Sequence, residues 1–392
     1  MSKSWFRFGV YECVSPRVVV GTTLSIQHRF TFLSWMLILG IGELTLFGQE
    51  PSSSSNLRDH TDVTCFDAGG GKPSLIQSES DWVRRRKDVQ HNVARVMGEL
   101  PNRSGLPNVA FEILETQALD GSLVRQKIRY ATDLPERVTR TVVTAYLFLP
   151  SESKSRRCPA VLCLHQTNSM GKEEPAGING KQNLSYALEL ARRGYVTLAP
   201  DYPSFGDYSF DFKENSDWPS GSLRAVWDNM RSIDLLQQLE EVAKDRIGCI
   251  GHSLGGHNAI FTAFHDPRIQ ATVSSCGFTR FHKYYQGNLA GWTSPRYMPR
   301  IAQEFGNSPD RVPFDFPELV ASLAPRAFFT SSPVGDGNFE VSGVRDTIAS
   351  AQGIYHLFSA DAKLQAIYPD CEHDFPPEAR LRAYAFLDEQ LR

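Results

Sequence analysis

The sequence predicts an α/β fold, a mostly parallel central sheet with helices on both faces. Three observations carry that expectation. Strand-like and helix-like segments alternate after Pro159, the pattern of a sheet built by crossover connections. At 392 residues the chain is long enough to bury a large core. Near its middle, a short apolar run, a glycine-flanked turn and a helical segment follow one another directly: Arg246-Ile247-Gly248-Cys249-Ile250, then Gly251-His252-Ser253-Leu254-Gly255, then residues 256–264.

Taken in order, residues 81–99 read as a helix packing on the main body. Residues 111–114 and 141–149 read as antiparallel edge strands that bracket 127–131. Residues 159–164 form an apolar strand, and 183–193 a helix stopped by Gly194, as expected of a glycine just past a helix end. Tyr195 opens the next strand, to Ala199, and residues 223–239 form the following helix, with Trp227 on its core side. After the glycine-flanked turn come strands at 271–276, 326–332 and 364–368 and a last helix at 378–391. No internal repeat is visible.

The turn at 251–255 is the most informative feature. Strand, G-x-S-x-G, helix is the context in which a serine projects alone from a strained elbow. The glycines let strand and helix approach without a Cβ clash. The backbone N–H of Leu254 lies at the helix start, where it can face a developing oxyanion. A serine hydroxyl is a weak nucleophile at neutral pH and needs a base held by an acid. For an elbow of this kind the acid and then the histidine follow along the chain. Of ten histidines, His257 and His265 lie on the helix leaving the elbow and are expected not to turn back to the serine. His282 lies in an aromatic-rich connection and His356 in a helical pattern. His373 follows the last strand and the polar turn Pro369-Asp370-Cys371-Glu372, where the base belongs. The acid should follow the preceding strand. Asp336 sits there between Gly335 and Gly337; Glu340 competes with it, and Asp370 is a more distant choice because it lies so near the histidine.

These residues resemble the α/β-hydrolase superfamily over roughly the last 240 residues. The matching pieces are Val161 to Gln166, Ala199-Pro200-Asp201-Tyr202, Gly251 to Gly256, Asp336, and Asp370 to Phe375. Within the superfamily the chain looks most like the Ser-nucleophile branch near dienelactone hydrolases and acetyl xylan esterases. The resemblance implies an α/β-hydrolase fold and hydrolysis of a carboxylic ester, the substrate a small molecule or carbohydrate ester. Ser253, Asp336 and His373 would be the triad. Backbone N–H groups of Leu254 and of Gln166 or Thr167 would hold the oxyanion. Two departures stand out. Dienelactone hydrolases proper carry a Cys nucleophile, and many relatives have His-Gly where this chain has His165-Gln166-Thr167. A peptidase or an acyltransferase would share the triad, although oligopeptidases usually add a propeller for which this chain has no room. A non-catalytic scaffold would be expected to lose triad members.

Two segments are candidates to shape the pocket: residues 203–212, and a lid-like insert at 278–313 with Tyr284, Tyr285, Trp292 and Tyr297. Aromatic rings there would suit sugars or aromatic acids, or would simply pack the segment down. At the N-terminus, the apolar run at 30–42, preceded by His28 and Arg29 and interrupted by Glu43, makes residues 1–48 an expected signal peptide or membrane anchor. Residues 49–80, rich in Ser, Gly and Asp, are expected to be a disordered linker, and 81–392 the catalytic domain, with 81–150 its N-terminal helix and edge strands. The protein is accordingly expected to be secreted, periplasmic or anchored by its N-terminal segment.

Seven cysteines include Cys163, Cys249 and Cys276 inside strand-like runs, where a buried thiol is the plain reading. No C-x-x-C pair suggests zinc or redox chemistry. A net charge of −3 gives no reason to expect nucleic-acid binding. No phosphate loop or dinucleotide fingerprint appears, so no cofactor is expected. His252 and His257 flank the elbow, but one belongs to the turn and the other to the helix, so no metal is expected there either.

Overall fold

The computed structural model describes residues 59–392 except 70, 120, 122, 134–140 and 216. The expected targeting segment, residues 1–48, lies outside the described residues, as do 49–58. In chain order the elements are β1 (Cys65–Asp67), β2 (Pro73–Leu75), α1 (Glu79–Met97), β3 (Phe111–Leu119), β4 (Leu123–Ala131), β5 (Val142–Pro150), β6 (Cys158–Leu164), α2 (Tyr186–Arg192), β7 (Val196–Pro200), α3 (Gly221–Gln238), β8 (Val242–His252), α4 (Leu254–His265), β9 (Ile269–Ser275), α5 (Arg300–Gln303), α6 (Phe316–Ala321), β10 (Ala327–Ser331), α7 (Val341–Leu357), β11 (Leu364–Ile367) and α8 (Pro377–Leu391).

Nine strands form one sheet in the order β11-β10-β9-β8-β6-β7-β5-β4-β3. The run from β11 to β7 is parallel, and β5, β4 and β3 continue it antiparallel. The expected edge strands are thus present, with β3 on the outer edge and β4 between β3 and β5. The central strands β6 and β7, and β10, are buried almost throughout because both faces are covered. On β6, Ala160, Leu162 and Leu164 enter a cluster with Leu223, Val226 and Ile233 of α3. Val161 and Cys163 point the other way, into a cluster with Tyr186 and Leu190 of α2 and Leu387 of α8. Period-2 alternation thus feeds two cores from one strand.

Helix α1 starts at a capping box, with Ser78 and Asp81 each accepting from the other's backbone N–H. Trp82, Val89, Val93 and Val96 form its buried stripe. Arg85 and Glu318, both fully buried, pair across to α6. The expected linker differs from the structure in its second half. From Asp59 on it is ordered: β1 and β2 form a small antiparallel hairpin, and Val63 is buried in the same core as Trp82. Polar composition concealed it, because a few apolar residues spaced among Asp, Thr and Gly suffice when a neighbouring helix supplies the rest of the core.

Parallel strands end on the same edge of a sheet, so the segments leaving β6, β8, β9, β10 and β11 meet there. Cys163 and Cys249 are buried free thiols within their strands, and Cys276 is buried just past the end of β9.

Candidate active site

Ser253 sits between β8 and α4 with φ 54° and ψ −117°, a backbone conformation few non-glycine residues adopt. Close packing on each side holds it there. A Cβ on Gly255 would lie 1.9 Å from the carbonyl oxygen of Leu164 on β6. The Ser253 N–H donates to the Ser275 carbonyl at 2.8 Å, tying the elbow to the end of β9. Leu254 opens α4, and a first-turn N–H has no partner within its helix.

His373 and Asp336 come together from two different loops. His373 Nδ1 donates to Asp336 Oδ2 at 2.9 Å. The other carboxylate oxygen of Asp336 accepts from the N–H groups of Asn338 (2.8 Å) and Phe339 (3.0 Å). The acid is therefore held by its own turn while it holds the imidazole. The ring of His252, the residue before Ser253, lies 4.9 Å from the His373 ring, so the pair adjoins the elbow. The competing carboxylates are turned elsewhere: Glu340 accepts from Ser342 and faces Lys283, and Asp370 is exposed.

The segment after β6 is braced. His165 Nδ1 donates to the Gln166 carbonyl (2.6 Å), and its Nε2 accepts from the Tyr202 N–H (2.9 Å). Burial pushes the His165 pKa down, in keeping with a neutral ring that donates on one side and accepts on the other. The Gln166 side chain is turned away to buried Glu174, donating at 3.0 and 2.9 Å to its two oxygens. Thr167 instead reaches the cavity beside Ser253, its hydroxyl 3.0 Å from that of Tyr297.

That cavity, about 60 Å³, is lined by Thr167, Ser253, Leu254 and His257 on one side and by Tyr284, Gly291, Trp292 and Tyr297 on another, with Asn338 and Phe339 completing it. The insert at 278–313 both packs and lines: Trp292 is 3 % exposed within a cluster of Phe281, Phe316 and Phe339, yet its ring borders the cavity. Tyr285 points outward. The 203–212 segment is not among the lining; Phe205 packs edge-on to His165, 5.6 Å away, and supports the loop from behind. Trp227 is fully buried, its indole N–H donating to Thr132.

His257 corrects one expectation. It does return to the serine's cavity, because four residues along a helix is one turn and the same face. Its Nδ1 lies 3.2 Å from the Gly277 carbonyl, and burial drives its pKa down to about 3. That i to i+4 spacing was the available signal. His252 and His257 bond separately, to Ser275 and Gly277. Among the described residues, donor atoms of Cys276, Asp336 and His373 fall within 4.8 Å of one another. Burial and the nearby Asp336 carboxylate push the Cys276 thiol well up, which keeps it protonated and a poor metal ligand. The three are better explained as a histidine–carboxylate pair with a thiol beside it.

Residues 182–310 match the prolyl oligopeptidase family. A Bacillus subtilis (strain 168) protein, YtaP, whose name says hydrolase and no reaction, is 27% identical over 296 residues, covering 72% of this chain and 88% of its own. The 2,6-dihydropseudooxynicotine hydrolase of Paenarthrobacter nicotinovorans is 32% identical over 105 residues, 26% of this chain and 27% of that protein. In structure the chain is similar to a glucuronoyl esterase from Solibacter usitatus, with a TM-score of 0.66 at 16% identity, over 85% of this chain and 98% of that one. The chain has the α/β-hydrolase fold. A second likeness is to acetyl xylan esterase 1 from Thermoanaerobacterium sp. JW/SL YS485, with a TM-score of 0.54 at 18% identity, over 78% and 94% of the two chains.

Proposed function

We propose that the chain is a serine hydrolase that cleaves carboxylic esters through an acyl-enzyme. The observation that carries this reading is the strained elbow at Ser253 adjoining the His373–Asp336 pair. Ser253 Oγ attacks the acyl carbon while its proton passes to His373 Nε2. The tetrahedral oxyanion is held by the backbone N–H of Leu254 and one from the Gln166–Thr167 turn. The alcohol leaves with the proton from His373, and a water activated by the same ring releases the acid. Asp336 fixes the ring and stabilises its charged form. None of these steps calls for a cofactor.

The substrate reading is an ester of a carbohydrate or another small molecule. It is supported by the names of the structural relatives, glucuronoyl esterase and acetyl xylan esterase, and by the aromatic wall. A water needs about 10–15 Å³, so the cavity takes a group of a few heavy atoms beside the ester carbon. A peptidase is the second reading, favoured by the match to the prolyl oligopeptidase family. Short acyl esters, acetylated xylan and an aminoacyl-nitroanilide assayed side by side separate the two. Ser253→Ala should lower kcat by about 10⁶-fold with the fold retained, and a fluorophosphonate should label Ser253 alone. Near-normal turnover in the folded variant would refute the assignment.

Export is proposed on the strength of the apolar segment at 30–42. Among the described residues no helix is long and apolar enough to cross a membrane. Cell fractionation of the intact chain tests it, and uncleaved protein confined to the cytosol would overturn it.

A further inference from the structure

His257 has one committed and one uncommitted nitrogen. Its Nδ1 faces the carbonyl oxygen of Gly277, which can only accept, so the ring proton sits on Nδ1. That carbonyl is fixed because Gly277 and Gly256 pack backbone to backbone; a Cβ on Gly256 would meet the Gly277 Cα at 2.7 Å. Nε2 is therefore a bare acceptor. It is buried and has no partner among the described residues. The ring is 5 % exposed and lines the same cavity as Ser253, one helical turn on, with Trp292 at 4.7 Å between ring centroids and Tyr297 at 6.2 Å.

A buried acceptor left unpaired is costly, and a site built around one rewards a ligand that supplies the missing donor. Burial keeps the imidazole neutral, its pKa down at about 3, so it does not act as a cation toward an anionic group. No lining residue of the cavity carries a charged side chain. The complement of such a surface is a neutral hydroxyl over an aromatic floor. The cavity is small, about 60 Å³, which places that hydroxyl close to the ester itself.

We propose that His257 is a substrate-binding residue whose Nε2 accepts a hydrogen bond from a hydroxyl vicinal to the ester, so that the site selects neutral, hydroxylated esters of the carbohydrate type. The proposal rests on the ester-hydrolase reading given above and narrows it to a substrate class.

The test compares monoacetylated methyl xylosides bearing a free vicinal hydroxyl with the same compounds carrying fluorine in its place. Fluorine is similar in size and cannot donate. Each kcat/KM is divided by the rate of hydroxide hydrolysis, which removes the electronic effect of fluorine. The intact enzyme should favour the hydroxyl compound roughly tenfold or more. In His257→Phe, with Ser253 still labelled by a fluorophosphonate, the ratio should fall to within about twofold of unity. A ratio near one in the intact enzyme overturns the proposal without any variant, and so does a ratio unchanged in His257→Phe. Should His257→Phe fail to fold, His257→Leu decides: with no acceptor it should lose most of the preference, and an unchanged ratio overturns the proposal. An intact enzyme that is labelled at Ser253 yet hydrolyses neither compound nor any simple ester would instead bring down the ester reading itself.

Discussion

The cavity beside Ser253 has two walls of different construction. One is made at the carboxyl ends of the parallel strands: Thr167 follows β6, Ser253 and His257 follow β8, and Asn338 and Phe339 follow β10. Its residues lie in turns or first helical turns, each positioned by short backbone contacts. The other wall belongs to the long connection between β9 and α6, where Tyr284, Trp292 and Tyr297 stand on short 3₁₀ turns and irregular chain. The first wall is held by hydrogen bonds, as Ser253 is tied to Ser275 and His257 to Gly277. The second is held by ring packing, as Trp292 is held by Phe281, Phe316 and Phe339. Reactive groups need fixed direction, which hydrogen bonds supply. A wall needs only fixed volume, which packing supplies.

The comparison predicts that changes on the first wall fall on kcat and changes on the second fall on stability and substrate choice. After the loss of the serine itself, the largest effect should come from Asp336→Asn, about 10⁴-fold in kcat, since the amide holds the wrong tautomer of His373. Glu340→Gln should change kcat by no more than a few-fold. Stopped-flow and steady-state assays on both variants check this, and reversed effects would move the acid to Glu340.

Trp292→Ala should instead cost about 3–5 kcal/mol in unfolding free energy, by transfer and cavity terms together. Denaturant titration measures it. A loss under 1 kcal/mol would mean that the insert is not packed as a core.

His257 links the two walls and makes stability depend on pH. Burial drives its pKa down to about 3 in the folded chain, against about 6.5 for a solvated histidine in the unfolded one. Below pH 6.5 the unfolded chain takes up a proton that the folded chain refuses. The unfolded state then binds more protons, so stability rises with pH and is lost on acidification. Relative to His257→Phe, the intact protein should lose roughly 1.4 kcal/mol per pH unit between about 6.5 and about 3, and no more below that. Parallel pH profiles of unfolding for the two proteins would refute the burial of this ring in its neutral form.

The smallest effect is expected far from both walls. Deleting residues 1–50 should leave kcat/KM and the unfolding midpoint unchanged within error, because the described residues lining the cavity run from Thr167 to Phe339. Activity assays on the shortened chain check this. Extending the deletion through residue 77 should destabilise the protein, since Val63 and Phe66 are buried; burying such side chains is worth about 1.5–3 kcal/mol each.

Residues 251–255, His373 and the loop after residue 332 could be read without coordinates, because each depends on signals a few residues long. A G-x-S-x-G turn between an apolar run and a helix is local, and so is a histidine in the turn after the last strand. The alternation of strands and helices predicted the parallel sheet, and the antiparallel strands expected before residue 150 form its β5, β4 and β3 end. What escaped was non-local. The hairpin at 65–75 looked like linker because its burial depends on α1. Asp336 did not escape: its place between two glycines after β10 already favours it over Glu340, and the structure sets it against His373, 37 residues on. His257 was set aside because it follows the serine on a helix, yet only the approach of Gly277 decides which of its nitrogens carries the proton. Short-range periodicity and steric rules are enough to specify the fold class and the elbow. The tertiary structure alone decided which side chains share the cavity and which polar atom there is left unpaired, because those outcomes depend on distances between segments that no local pattern encodes.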